Sequence, residues 1–423
     1  MIFPHARLAP FVTMFVVIVS MGVVYFFIGT SIARTAQDCD LVHSDDDSKI
    51  ECWMDVIRGE LQNNGLAPAM KTFRQIYDAY PFFANSGCHR HAHRVGDMVY
   101  YEHYLAFNDL TKIDFPPETT SCGYGFYHGF LEHLVQDNAN PKFIDTTCTY
   151  LHQRLGSTMG DIRATCYHGS GHGIALAKAG DIPNAEWGKA TVFIDKPLDI
   201  CEALSKATSY ETDECRQGVF NVLVDWMETK EYGFSYDDKH PFAICNTQPE
   251  RRKFACYYEM SMKLDRVADY DPRNLAKVLK TVSIARFRDT GFRVGIAGMV
   301  QHVVGVNGQD DIFAQCSELN DAYVGMCAQS IVSGLFEHGK PRAEYEAAHA
   351  FCSSKPVIDR GVEKLCWEEF SARLHRFYQN DEGRKLCNMV PEAYRTQCYN
   401  YAYGDIVTIA LSVLYDVYHD GCA

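Results

Sequence analysis

The sequence predicts an all-α protein of disulfide-stapled helical-hairpin repeats, stacked as a solenoid or a closed superhelix, after one N-terminal transmembrane helix. Three observations carry this expectation. Cysteines fall in regular pairs, apolar residues follow most pairs at helical spacing, and one long apolar run lies near the N-terminus. The chain has 423 residues, enough for one long domain or two ordinary ones.

Seventeen cysteines order themselves as neighbours: Cys39 with Cys52, Cys88 with Cys122, Cys148 with Cys166, Cys201 with Cys215, Cys245 with Cys256, Cys316 with Cys327, Cys352 with Cys366, and Cys387 with Cys398. Cys422 is left over and is a candidate for a disulfide-linked dimer or a bridge to a protein partner. After Cys215, the residues Val219, Leu223 and Trp226 trace the stripe of an amphipathic helix. Successive second cysteines mostly lie roughly thirty to fifty residues apart, the period range of helical solenoids. The gap from Cys256 to Cys327 is nearly double, and residues 287–305 fit it as a repeat without a bridge. A two-helix unit cannot bury its apolar face alone, so neighbours must stack. Each short bridge adds about 3 kcal/mol by restricting the unfolded chain. The competing reading, free or metal-bound cysteines, lacks any CxxC signature. Strand signals are sparse: Asn64-Gly65 and Asn307-Gly308 sit between helix-like segments.

Residues 11–33 are uncharged and almost wholly apolar. A helix needs roughly 20 such residues to cross a bilayer, more than a secretory signal carries. Arg7 and Arg34 flank the run evenly, so charge does not orient it. All the cysteines follow it, and disulfides need an oxidising compartment. The expected organisation is a short cytoplasmic tail over 1–10 and an anchor over 11–33. A juxtamembrane stalk and first helical unit then cover 34–80, and an extracytoplasmic Cys/His-rich α-repeat domain covers 81–423. That places a single-pass membrane protein with its body in the periplasm or another extracytoplasmic space; absence of any N-x-[ST] acceptor leans toward the periplasm. The net charge of −14, with no basic stripe, argues against a nucleic-acid partner.

Nine of the seventeen histidines fall between residues 89 and 172. His89 and His93 are four apart, as are His168 and His172, so each pair shares a helix face. His128 and His172 both stand six residues after the second cysteine of their repeat, each within G-x-x-H-G; the next repeat has Asn221 there. Packed helices lie about 8–10 Å apart, so imidazoles from neighbouring repeats can converge on one ion. The candidate metal ligands are His89, His93, His128, His168 and His172. Asp97 and Glu132 are candidate carboxylate supports, and Tyr124, Tyr127, Tyr167 and Asn221 candidate pocket residues. Imidazole donors suit Cu, Fe or Zn. The glycines around these histidines remove side-chain bulk and let helices, or a substrate, approach closely; they also cost helix stability, about 1 kcal/mol each, a poor choice for helices with only packing to do. The bland alternative is histidines packed at helix contacts and bonded to backbone carbonyls. Gly129-Phe130-Leu131-Glu132-His133 and Gly334-Leu335-Phe336-Glu337-His338 share a register and support the repeat.

HExxH, CxxCH, GxxxxGK[ST] and GxGxxG are all absent, which removes the usual zinc-protease, c-type haem and nucleotide signatures. Ser170 lies between glycines without the spacing of a nucleophile elbow. The functional expectation is a membrane-anchored extracytoplasmic repeat protein with a histidine-lined transition-metal site of redox or hydrolytic chemistry. Its rival is a non-catalytic binding or assembly scaffold for a protein, peptide or glycan.

Overall fold

The computed structural model describes residues 36–42, 45–378 and 380–403. These residues are helical throughout, with no strand among them. The chain divides into two compact units, residues 1–59 and 60–423.

In the first unit, α1 (Ala36–Val42) and α2 (Asp46–Asn64) are tied by Cys39–Cys52. The Trp53 indole donates to the Ala36 carbonyl at 3.0 Å. The polar stretch read as a stalk is therefore helical over Ala36–Val42 and from Asp46 onward. The boundary between the units falls inside α2.

The second unit is built on eight helices: α3 (Cys88–Val99), α4 (Gly125–Gln136), α5 (Ile162–Ala179), α6 (Ser209–Thr229), α7 (Glu250–Ser261), α8 (Ala285–Gln301), α9 (Asp321–His338) and α10 (Glu363–Phe377). Six of them begin near the second cysteine of a pair; α3 begins at Cys88, the first of its pair, and α8 carries no cysteine. Each packs on the next in chain order, and each contributes side chains to one cavity. Intervening helices such as Pro141–Leu155 and Ala190–Glu202 contribute no side chain to it. Where a pair bridges two helices, the disulfide joins the end of an outer helix to the first turns of its inner one, as Cys201–Cys215 and Cys352–Cys366 do. The remaining pairs, Cys88–Cys122, Cys148–Cys166, Cys245–Cys256, Cys316–Cys327 and Cys387–Cys398, are also bonded as neighbours. Cys422 lies outside the described residues.

The repeat without a bridge solves the same problem with apolar packing. Helix Pro272–Leu279 seats Leu275 and Leu279 against Gly295 and Gly291 of α8, where a Cβ would meet leucine methyls at 2.8 and 2.6 Å. Helix starts are locally specified as well. Thr208 and Glu211 form a reciprocal capping box at α6, satisfying two backbone donors that the first turn leaves open.

The repeats make one superhelical turn that meets its own beginning. The Tyr124 hydroxyl, just before α4, donates to the Arg376 carbonyl of α10 at 2.6 Å. Arg376 pairs with Asp161 ahead of α5 at 2.6 Å. Tyr77 donates to the His338 carbonyl at 2.5 Å. Closure turns one face of every inner helix toward a shared interior.

The first inner helices pack backbone to backbone. A Cβ on Gly96 would stand 2.1 Å from the Phe126 carbonyl oxygen, one on Gly129 2.1 Å from that of His93, and one on Gly218 2.0 Å from that of His168. At Gly129 the close helix approach expected of these glycines is what the structure shows. They are needed because no larger residue permits such approach.

The single-pass membrane placement is also corrected. Among the described residues no helix is long and apolar enough to cross a membrane. The longest, α6, carries Glu211, Asp213, Glu214, Arg216, Asp225 and Glu228. The proposed anchor over 11–33 lies outside the described residues, so no membrane partner or periplasmic placement is carried further.

A Gly218→Ala variant is expected to lose about 1–3 kcal/mol or more through forced separation of α5 and α6. Gly180→Ala, where an added methyl meets nothing within 4 Å, is expected to change stability by less than about 1 kcal/mol. Thermal melts of both variants against the parent check the contrast.

Candidate metal centre

The close approach of α3, α4, α5 and α6 sets the spacing of the side chains that point inward from them. Residues about 36–40 positions apart become lateral neighbours. His89 and His128 have ring centroids 4.8 Å apart, His128 and His168 4.5 Å, His128 and His172 5.6 Å, and His168 and His172 5.1 Å. One ring nitrogen each from His128, His168 and His172 lies within 4.8 Å of the others. All three histidines are buried.

Hydrogen bonds select the tautomers. Cys122, Gly123 and Tyr124 all have positive φ (56°, 60° and 61°), a left-handed run that only glycine adopts freely. From this turn the Cys122 carbonyl accepts from His89 Nδ1 at 2.9 Å. A carbonyl can only accept, so Nδ1 carries the proton and His89 Nε2 is an acceptor. That nitrogen lies 3.0 Å from His128 Nδ1, which therefore donates and leaves His128 Nε2 with a lone pair. His172 Nδ1 donates to Glu132 Oε2 at 3.2 Å, and its Nε2 is buried without a protein partner. His168 Nδ1 lies 3.4 Å from Glu214 Oε2. His128 and His172 are thus held at Nδ1 by hydrogen bonds, the arrangement that orients metal-ligating imidazoles, and a carboxylate lies beside His168 Nδ1.

His93 stands beside this trio in a different state. Its Nε2 is 3.2 Å from Glu132 Oε2 and its Nδ1 3.4 Å from Asp97 Oδ1. Asp97 also faces His133 at 3.4 Å. Burial lowers the His93 pKa, but Asp97 and Glu132 outweigh it and raise it to about 10. Burial alone would raise Glu132; the bonds from His172 and His93 instead hold its carboxyl well below the usual range. Burial, with His93 nearby, pushes His89 down to about 3. Burial and the Arg376 cation push His168 down to about 3. Burial and the adjacent imidazoles drive His128 well down. Burial also lowers His172, against the pull of Glu132. Neutral imidazole is the ligating form.

The site opens on a cavity of about 760 Å³, within the range of small-molecule pockets. Its far side is polar. Arg373 bonds Glu337 at 2.9 Å and Glu369 at 2.7 Å. His302 bonds Asp265 at 3.0 Å. Asn221 lines the cavity and donates to Glu259 Oε2 at 2.7 Å, while Glu259 Oε1 is buried without a partner. Burial raises the Glu259 pKa to about 8.

All five histidines singled out from sequence line the cavity, together with Asn221. Asp97 and Glu132 stand behind them as supports. The tyrosines do not belong to the pocket. Tyr124 is turned to Arg376, Tyr127 to Thr119 at 2.9 Å, and Tyr167 to the buried Asp145 at 3.0 Å. Glu214 and Glu259 were missed. Glu214 directly precedes Cys215 and Glu259 follows Cys256 by three residues, so only the inward register of each repeat marks them. A further trio, His375 with Cys387 and Cys398, offers no thiolate because its two sulfurs are bonded to each other.

No family model matches the chain, and no curated protein or solved structure shows significant similarity to it.

The buried imidazoles set an acid response. An unfolded chain takes up a proton on each histidine near pH 6.5, whereas folded His168 refuses it until about pH 3. Its unfavourable contribution is thus absent above pH 6.5 and grows as pH falls toward 3, by about 1.4 kcal/mol per pH unit. Glu259, raised to about 8, acts in the opposite sense, so a difference between variants isolates the histidine. Between pH 6.5 and 5, ion-free parent protein is expected to lose about 1.4 kcal/mol per pH unit relative to a His168→Asn variant. Denaturant titrations at several pH values check this.

Proposed function

We propose that this chain is a disulfide-stapled helical protein that holds a transition-metal ion on His128, His168 and His172 and exposes it to a small polar molecule in its cavity. The observation that carries the reading is the set of three buried neutral imidazoles: His128 and His172 are fixed through Nδ1 by hydrogen bonds to His89 and Glu132, and His168 Nδ1 faces Glu214 at 3.4 Å. Structural packing alone does not call for a buried His172 Nε2 without a partner; buried polar atoms are normally satisfied.

Three imidazoles with an open position suit zinc best, and the ion would supply Lewis acidity and a bound water acidified toward neutral pH. Hydrolytic chemistry is therefore favoured over redox chemistry. The chain's own groups fit that use. Glu259, kept protonated by burial, can donate a proton at Oε1 inside the same cavity. Glu214 and Glu132 orient His168 and His172. A groove for a peptide or protein partner has less support, because the lined space has the volume of a small-molecule site. Eight bonded cysteine pairs among the described residues fit an oxidising compartment.

Elemental analysis of oxidised protein, incubated with Zn, Cu, Fe or Ni and then desalted, tests the reading. At least one equivalent is expected in the parent, and one equivalent fewer in a His128→Asn, His168→Asn double variant that retains its helical circular-dichroism spectrum. Glu214→Gln is expected to weaken binding by about 10–100-fold. Protein that takes up none of the four metals would overturn the proposal.

A further inference from the structure

Glu132 lies between two histidines at equal distance. Its Oε2 is 3.2 Å from His93 Nε2 and 3.2 Å from His172 Nδ1. One donor atom from each of these three residues falls within 4.8 Å of the others. Charge-assisted N–H···O bonds usually measure about 2.7–2.9 Å. Two donors on one tetrahedral ion, each bonded at about 2.0–2.1 Å, stand about 3.3–3.4 Å apart. The Glu132 contacts are long for ion pairs and close to that donor spacing.

The surroundings are those of a built site. Asp97 faces His93 Nδ1 at 3.4 Å, leaving Nε2 directed at Glu132. This carboxylate–histidine pairing is common behind metal ligands. His172 is 4 % exposed and has its two nitrogens in different places: Nδ1 faces Glu132, while Nε2 is buried without a partner. His172 belongs to both three-residue groups that can hold an ion.

We propose that the centre takes two divalent transition-metal ions bridged by the His172 imidazolate. The first is the ion of the proposed function, on which this inference rests, held by His128, His168 and His172 Nε2. The second is held by His93 Nε2, Glu132 Oε2 and His172 Nδ1. The second ion replaces the protons that His93 and His172 direct at Glu132, and those protons leave to solvent. No electron is transferred. The bridge gives Glu132 a purpose that a hydrogen-bonded support alone does not need: its carboxylate neutralises charge between two cations.

Zinc titration of the full oxidised chain, read by elemental analysis after desalting, separates the possibilities. Two equivalents are expected in the parent, and one in each of Glu132→Gln and His93→Gln. One equivalent in the parent, unchanged in both variants, would sink the second site and leave the first standing. No zinc in any protein would sink both. Copper(II) loading tests the bridge. Two ions joined by imidazolate couple antiferromagnetically, so the integrated paramagnetic resonance signal of doubly loaded parent should fall well below two spins and return to one in Glu132→Gln. Two full uncoupled spins in the parent would overturn the bridge.

Discussion

The contact on which this molecule depends is backbone against backbone. Where α3, α4, α5 and α6 cross, glycine Cα atoms rest on carbonyl oxygens of the neighbouring helix, and a methyl group at Gly96, Gly129, Gly171 or Gly218 would collide with them. Helices held apart by ordinary side chains would leave short imidazoles from successive repeats too distant to meet. The same glycines that weaken each helix in isolation therefore fix the lateral spacing that lets His89, His128, His168 and His172 touch. Disulfides then hold the hairpins at their joints in all but the bridgeless repeat, and the last of these helices closes on the first turns through Tyr124, Arg376 and Asp161.

Much of this was legible in the sequence because disulfides and repeats leave regular marks. Cysteine order gave neighbour pairing, and the doubled interval between Cys256 and Cys327 located a unit whose joint is made by leucines on glycines instead. Histidines four apart announced shared faces, and equal offsets from the second cysteine aligned His128 with His172. That the glycines allow close approach was also legible, but not which backbone each one meets. Their cost in helix propensity was visible, but the carbonyl each one meets belongs to a distant repeat.

Other features lay beyond local pattern. Tyr127 and Tyr167 adjoin the histidines in sequence yet point away, because the next residue along a helix faces a different direction, and Tyr124 stands in the left-handed turn before α4. Tyr167 satisfies Asp145, which also anchors Ser205 and Lys206. Glu214 and Glu259 sit on repeats with no histidine signature, and only superhelical closure turns them toward the shared interior. An apolar run in the sequence suggested a membrane placement that no described helix supports.

Electrostatics follow from the same geometry. Enclosure keeps His128, His168 and His172 neutral, while His93, between Asp97 and Glu132, is charged. A neutral cluster beside an ion pair in one polar cavity is costly to fold as plain structure and well suited to cations. X-ray absorption spectroscopy of the zinc-loaded, oxidised chain tests that claim most directly. The account calls for nitrogen and oxygen neighbours at about 2.0–2.2 Å with imidazole scattering. A sulfur neighbour near about 2.3 Å, or zinc surrounded by water alone, would contradict it.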